Sequence, residues 1–237
     1  MTNDVDFMIH GIFSYQFFGH TVWITTSHVC ILIVMLLLLI FAFAANRRLA
    51  QAAEVPAGFQ NVVELIVEKL DGMVDGTMGK EVGAKFSNYI GTVFLFVLLS
   101  NVAGVFGLRP PTADYGTTLA LALITFALIQ ITKIKNRSAG FIWRDLCSPL
   151  PPWLPLWAPI NVISMIAVPI SLSLRLFANV LSGTVMLALV YGLLGRLAFI
   201  WPAALHIYFD LFSGAIQTYV FCMLTMTYIG QNYEAES

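Results

Sequence analysis

Five apolar runs set the limits on what this chain can fold into. They lie at residues 21–45, 86–107, 117–131, 159–194 and 199–229. A helix that spans a bilayer needs about 20 mainly apolar residues, so each run meets that length or reaches it with its flanks. Charged residues make up only 11% of the 237-residue chain and hydrophobic ones 59%, against about 25% charged in a soluble domain. The sequence therefore specifies an all-α integral membrane protein with five transmembrane helices. Neither a fixed-period repeat nor a low-complexity linker divides the chain, so one membrane domain over residues 1–237 is expected.

The last two runs are too long for a perpendicular crossing. A 36-residue helix at about 1.5 Å per residue extends well beyond the roughly 30 Å of hydrocarbon. Both helices should be strongly tilted, bent, or partly outside the lipid. Pro169 and Gly183 are candidate bend points, and Pro202 suits the first turn of the last helix.

Basic residues set the orientation. Arg47, Arg48, Lys69, Lys80 and Lys85 precede or open the second run, and Lys133, Lys135, Arg137 and Arg144 follow the third. The opposite loops hold only Arg109 and Arg196. By the positive-inside rule the first two groups are cytoplasmic, with residues 1–20 outside and the C-terminus inside. Residues 1–20 carry Asp4 and Asp6 and no Lys or Arg, unlike the basic start of a signal peptide. Transit-peptide character is also absent, which points to a bacterial plasma membrane.

Two connections are more than loops. In residues 56–79, Phe59, Val62, Val63, Ile66, Val67, Leu70 and Val74 recur at three and four, with Glu64, Glu68, Asp71 and Asp75 largely between them. This is an amphipathic helix on the cytoplasmic side, either lying on the membrane surface or packed on the protein itself. Residues 147–159 hold Pro149, Pro151, Pro152, Pro155 and Pro159 with Trp153 and Trp157. That proline density opposes a regular helix, and the tryptophans suit an interfacial or re-entrant segment.

The candidate functional residues lie in the two long runs. Arg175 is the only charged side chain in residues 159–194. An arginine at the centre of a membrane helix costs roughly 3 kcal/mol by insertion scales and cannot shed its proton. It needs water, an acceptor or an acidic partner. At helical spacing its neighbours are Ser164, Ser171, Asn179 and Ser182. The serines could equally bond back to their own helix. The last run carries a complementary stripe of Asp210, Ser213, Gly214 and Gln217, and Asp210 is the only acid between Asp145 and Glu234. Asp210 could exchange a proton, or form a static ion pair with Arg175 that only fixes packing. His206, four residues before Asp210, could share its face or act as a structural hydrogen-bonder.

Other polar groups are weaker candidates. Asp114 reads as a turn residue or an entrance group, and Asp145 as the solvated partner of Arg144. Asn88 and Asn101 could line water or satisfy backbone groups. Cys30, Cys147 and Cys222 are scattered and read as small buried hydrophobes, without metal-ligand spacing. No phosphate loop, metal cluster or nucleophile–base pairing is visible, so neither a catalytic site nor a cofactor is expected, and nothing suggests a nucleic-acid partner. One Arg and one Asp inside the membrane, each on a polar stripe, indicate an ion path. A self-contained channel or secondary transporter, which often shows an internal repeat, and a purely structural anchor are the competing readings.

Two strings resemble a known family. Ser171-Leu-Ser-Leu-Arg175-Leu-Phe-Ala-Asn179 is similar to the signature of the a subunit of rotary F-type ATP synthases. Gly214-Ala-Ile-Gln217-Thr-Tyr-Val-Phe221, followed by Met223-Leu-Thr-Met-Thr-Tyr228, is similar to that family's last helix. Leu99-Ser-Asn101 followed by Gly104, and the Pro-Thr-Ala-Asp114 loop, also fit. The resemblance covers the chain from about Asn61 onward and reaches the first 50 residues only in topology. It implies a membrane stator beside a rotating c-subunit ring, with peripheral-stalk b subunits and the rest of the complex as further partners. Two offset half-channels would carry H⁺ or Na⁺ to and from the ring carboxylates. Arg175 would be the essential arginine, with Asn179 and Gln217 lining the outer path and holding it. The family often places a Glu nine residues after the Arg, where this chain has Thr184. Asp210, at the position where members carry an acid or a His, would then be the main outer relay. Inner acidic positions are missing, which leaves Asn161 and Ser164 as linings of a water-filled inner path.

Overall fold

The computed structural model describes residues 11–17, 20–50, 58–137, 157–194 and 205–233, together with 140, 142, 146 and 147. Five helices are long and apolar enough to cross a membrane, so the all-α membrane class holds. A short antiparallel hairpin precedes them, β1 (Gly11–Phe17) paired with β2 (His20–Thr25). Residues 21–25 are thus strand, and α1 begins only at Thr26 and runs to Leu49. The sequence Thr-Val-Trp-Ile-Thr explains the shift, because β-branched and aromatic residues favour a pleated strand.

Helix α2 (Phe59–Met78) is the amphipathic segment. It turns at Gly79, whose φ of 76° favours glycine, and runs back antiparallel along α3 (Lys80–Val102). The Ser87 hydroxyl bonds Asp71 across this hairpin, and Val74 and Met78 join the central core. One side of this helix thus packs on the protein itself. Phe59, Val62, Leu65 and Val67 on the same helix remain exposed.

After α3 the chain makes a 3₁₀ turn, Ala103–Phe106, and a second one, Pro111–Ala113. Helix α4 (Tyr115–Asn136) follows, and Asp114 caps it by accepting from the Gly116 N–H at 3.0 Å. That cap is the turn role read from the sequence. Helix α5 (Ala158–Leu194) is 37 residues long and keeps Pro169 within it. A π-helical segment, Ile207–Ser213, then leads into α6 (Gly214–Tyr233). Pro149, Pro151, Pro152, Pro155 and Trp153 of the proline-rich segment lie outside the described residues, as do Arg144, Asp145, Arg196 and Pro202. Trp157 is described and exposed at the start of α5, where its carbonyl accepts from the Asn161 N–H.

Helices α3 to α6 share one core. Ile90 and Val97 of α3, Ala122 and Ile129 of α4, Leu172 and Leu176 of α5, and Phe221, Met226 and Ile229 of α6 fill it. Helix α1 packs outside it, pressing Cys30 and Val34 on Ala103 while Leu36, Leu37, Leu39, Ile40 and Phe43 stay exposed. Lipid is as apolar as Leu, so close packing rather than burial from water must hold these helices together. Threonines at heptad spacing serve that purpose, with Thr118, Thr125 and Thr132 on α4 and Thr218 and Thr225 on α6 all buried. Four of the five return their hydroxyls to their own helix, and Thr125 pairs with the Tyr89 hydroxyl at 3.0 Å.

Phe221 is fully buried at the centre of this core. Phe221→Ala is expected to cost about 3 kcal/mol through the cavity it leaves. Thermal unfolding of the purified protein measures this, and a Tm equal to that of the parent would contradict the packing described.

Candidate ion path

The face of α5 that carries Arg175 points away from its own bundle. Leu172, Ser173 and Leu176 are buried against the other helices, whereas Ser164, Ser171, Arg175 and Ser182 are exposed. Arg175 has no hydrogen-bond or ion-pair partner among the described residues. Exposed Ile163, Ile170, Leu174, Leu181 and Val185 surround this stripe on the same helix. The guanidinium is therefore aimed out of the chain from an apolar surface, and the static pair with Asp210 is not formed.

Asn179 leaves the stripe for the bundle. Its side-chain carbonyl accepts a hydrogen bond from the Ser213 hydroxyl at 2.9 Å, which ties α5 to the end of the π-helix. Gln217 is buried, and its amide nitrogen finds no partner among the described residues. A buried donor without a partner is costly, and a hydrogen-bond acceptor brought to it would relieve that cost. No hydrogen bond joins either residue to Arg175 among the described residues, so the arginine is not held as the resemblance implied.

Asp210 sits in the π-helix and bonds His206 Nδ1 at 2.8 Å through Oδ2. Its carboxyl lies flat on Gly104, where an added Cβ would be 3.1 to 3.3 Å from all three carboxyl atoms. The pair opens into a cavity of about 390 Å³ lined also by Arg109, Pro110, Thr184 and Tyr191. The cavity thus reaches from the α3–α4 connection down to the carboxylate. Thr184 lies in its wall, at the position where the resembling family often has a Glu.

The π-helix was not legible in the sequence. It places more residues in each turn than an α-helix, so groups seven apart no longer stack. Asp210 faces Gly104, Ser213 faces Asn179, and Gly214 faces Asn101. The stripe anticipated on a regular helix is therefore fanned over two neighbouring helices. Glycines make the close approaches possible: beside Gly104, a Cβ added at Gly183 of α5 would lie only 3.3 Å from Phe209, and one at Gly214 only 2.9 Å from Asn101, too close to fit without a shift.

On the other side the linings differ from expectation. Asn161 donates to the Leu146 carbonyl at 2.8 Å, which satisfies the side chain locally. Ser164 lies on the outward face with Arg175. No group of three or more His, Cys, Asp or Glu that could hold a metal exists among the described residues.

A multi-pass helical membrane protein with an outward guanidinium and a carboxylate at the foot of a cavity belongs to the class of ion-translocating membrane subunits. Comparison with known proteins narrows that class. Residues 28–230 match the family model of the ATP synthase A chain. The sodium-ion-specific ATP synthase subunit a of Propionigenium modestum is 40% identical over 183 residues, covering 68% of this chain and 60% of that protein. ATP synthase subunit a 1 of Pelobacter propionicus is 37% identical over 203 residues, 85% of each chain. The subunit a of Moorella thermoacetica is 34% identical over 198 residues, 83% of this chain and 85% of its own. The chain belongs to the ATP synthase A chain family, the ion-translocating membrane subunit a of F-type ATP synthases.

The Asn179–Ser213 contact sets the angle between α5 and the π-helix. A double-mutant cycle with Asn179→Leu and Ser213→Ala is expected to show a coupling of about 0.6 kcal/mol, the usual size for such bonds between membrane helices. Thermal unfolding of the four proteins measures it, and strictly additive losses would contradict the contact.

Proposed function

We propose that Arg175 is the fixed counter-charge for the moving carboxylates of a c-subunit ring, and that Asp210 with His206 relays ions to that ring from the outer side. The observation that carries the reading is the outward guanidinium on an apolar face, without a partner among the described residues. Its insertion cost of roughly 3 kcal/mol is of the same order as its attraction to a carboxylate about 4 Å away, about 4 kcal/mol at an effective dielectric of 20. A partner from another chain thus offsets what this chain leaves uncompensated. When a ring carboxylate releases its ion it becomes the anion that Arg175 attracts. The same positive charge opposes an ion passing straight from one half-channel to the other.

The cavity above Asp210 fits the outer half-channel, since it starts at the loop opposite the basic-rich connections. The N-terminus then lies outside and the C-terminus in the cytoplasm, in a bacterial plasma membrane. Asp210 accepts the ion, His206 shares its charge, and the Asn179–Ser213 bond marks where the path turns toward α5. Gln217, with its orphaned amide, lies one step further along α6. Ser164 and Ser171, exposed on the face that also carries Arg175, offer hydroxyls to a hydrated inner path.

ATP-driven ion pumping in vesicles carrying the whole complex tests this. Arg175→Ala is expected to abolish pumping, and Arg175→Lys to fail nearly as badly because the planar fork is lost. Parental pumping by Arg175→Ala would remove the assignment. Asp210→Asn is expected to slow pumping about 100-fold, the scale of a lost proton-transfer group, with the complex still assembled. Undiminished pumping by Asp210→Asn would move the relay to His206.

A further inference from the structure

The π-helix that presents Asp210 is gripped from one side chain of a neighbouring helix. Asn101, buried at the C-terminal end of α3, donates from its amide nitrogen to the Gly214 carbonyl at 3.1 Å and to the Thr218 hydroxyl at 3.3 Å. Its amide oxygen accepts from Thr112 in the second 3₁₀ turn at 2.7 Å. Gly214 is the first residue of α6, the junction where π-helical hydrogen bonding ends and α-helical bonding resumes. Its carbonyl also accepts from Thr218. The junction is therefore tied to a fixed point on α3, and the absent side chain of Gly214 lets the two helices meet there. Three residues beyond Asn101, Gly104 supplies the surface on which the Asp210 carboxyl rests.

We infer that Asn101 is a positioning residue for Asp210. By fixing the π-to-α junction it keeps the preceding turn wide and holds the carboxyl in the cavity shared with Arg109 and Thr184. A π-turn carries fewer hydrogen bonds per residue than an α-helix and persists only where its surroundings hold it. Asn101 is the side chain that reaches the junction from α3, and Thr112 fixes which way its amide points. Without it, residues 207–213 rewind toward α-helix, and Asp210 rotates off Gly104 and out of the cavity. The inference rests on the reading of Asp210 as the relay, but its test reads position rather than transport.

The test is labelling of Asp210→Cys by a membrane-impermeant methanethiosulfonate added from the outer side, in assembled complexes. The native cysteines Cys30, Cys147 and Cys222 are buried, and the parent complex supplies the background. Adding Asn101→Leu is expected to slow labelling at position 210 at least tenfold. Thr112→Val, a milder change that frees the Asn101 amide, is expected to slow it less but in the same direction, and it carries the test if Asn101→Leu does not assemble. Thr184→Cys, in the same cavity but on α5, should label at an unchanged rate in both backgrounds, which separates a local rotation from general loosening. Unchanged labelling at position 210 in every variant that assembles, or equal slowing at positions 210 and 184, would overturn the inference. Undiminished pumping by Asp210→Asn would instead overturn the relay and leave the labelling result standing.

Discussion

A guanidinium that cannot lose its proton, set on an apolar face with no partner among the described residues, is the constraint around which this protein is organised. Its neighbours on α5 supply two small hydroxyls, Ser171 and Ser182, and otherwise apolar surface. Hydroxyls do not neutralise a charge. The bundle presents Arg175 on its outward face. The remaining polar groups, Asn179, Ser213 and Asp210, are bonded within the chain on the inner side of the same pair of helices. This division separates a fixed, inward network from a single outward charge.

The network holds together because membrane helices gain little from hiding apolar surface. Their association depends on backbone proximity and on hydrogen bonds between helices. Both are concentrated around the π-helix. Gly104, Gly183 and Gly214 remove side chains where α3, α5 and the π-helix converge. Asn101, Thr112 and Thr218 supply the bonds between them. By contrast, α1 touches the bundle through few residues and leaves most of its side chains to the lipid. Close glycine contacts and hydrogen bonds between helices thus gather around the segment that carries Asp210.

Much of this architecture was legible in the residues, and the exceptions have physical causes. Apolar run length alone located the five crossing helices, because about 20 residues is a demand of the bilayer and not of any particular fold. Arg175 and Asp210 stood out because charge is expensive in hydrocarbon. Boundaries slipped where polar residues continue a helix beyond the lipid, as at Lys80 and Asn136. The hairpin at 11–25 was hidden because an apolar run reads alike as strand or helix at that length. The π-helix escaped entirely, since periodicity arguments assume 3.6 residues per turn. With it went the faces of Asp210, Ser213 and Gly214, and the role of Asn101, which sequence spacing could only describe as polar near a helix end.

A π-helical turn also explains how the Asp210 carboxyl coexists with tight packing. On a regular α-helix, a side chain stacked above Gly214 and Gln217 would be pressed into the α3 interface, where Gly214 already meets Asn101. The wide turn carries Asp210 sideways onto Gly104 and into a cavity that reaches the α3–α4 connection. Ser213, three residues later, still reaches Asn179, and Gly214 still seats against Asn101. One departure from helical periodicity thus gives three successive groups three different surroundings. The carboxylate lines a cavity, the hydroxyl bridges to the arginine helix, and the glycine seats at the junction. The strain is local, and the bonds that hold it lie within one turn of the group it displaces.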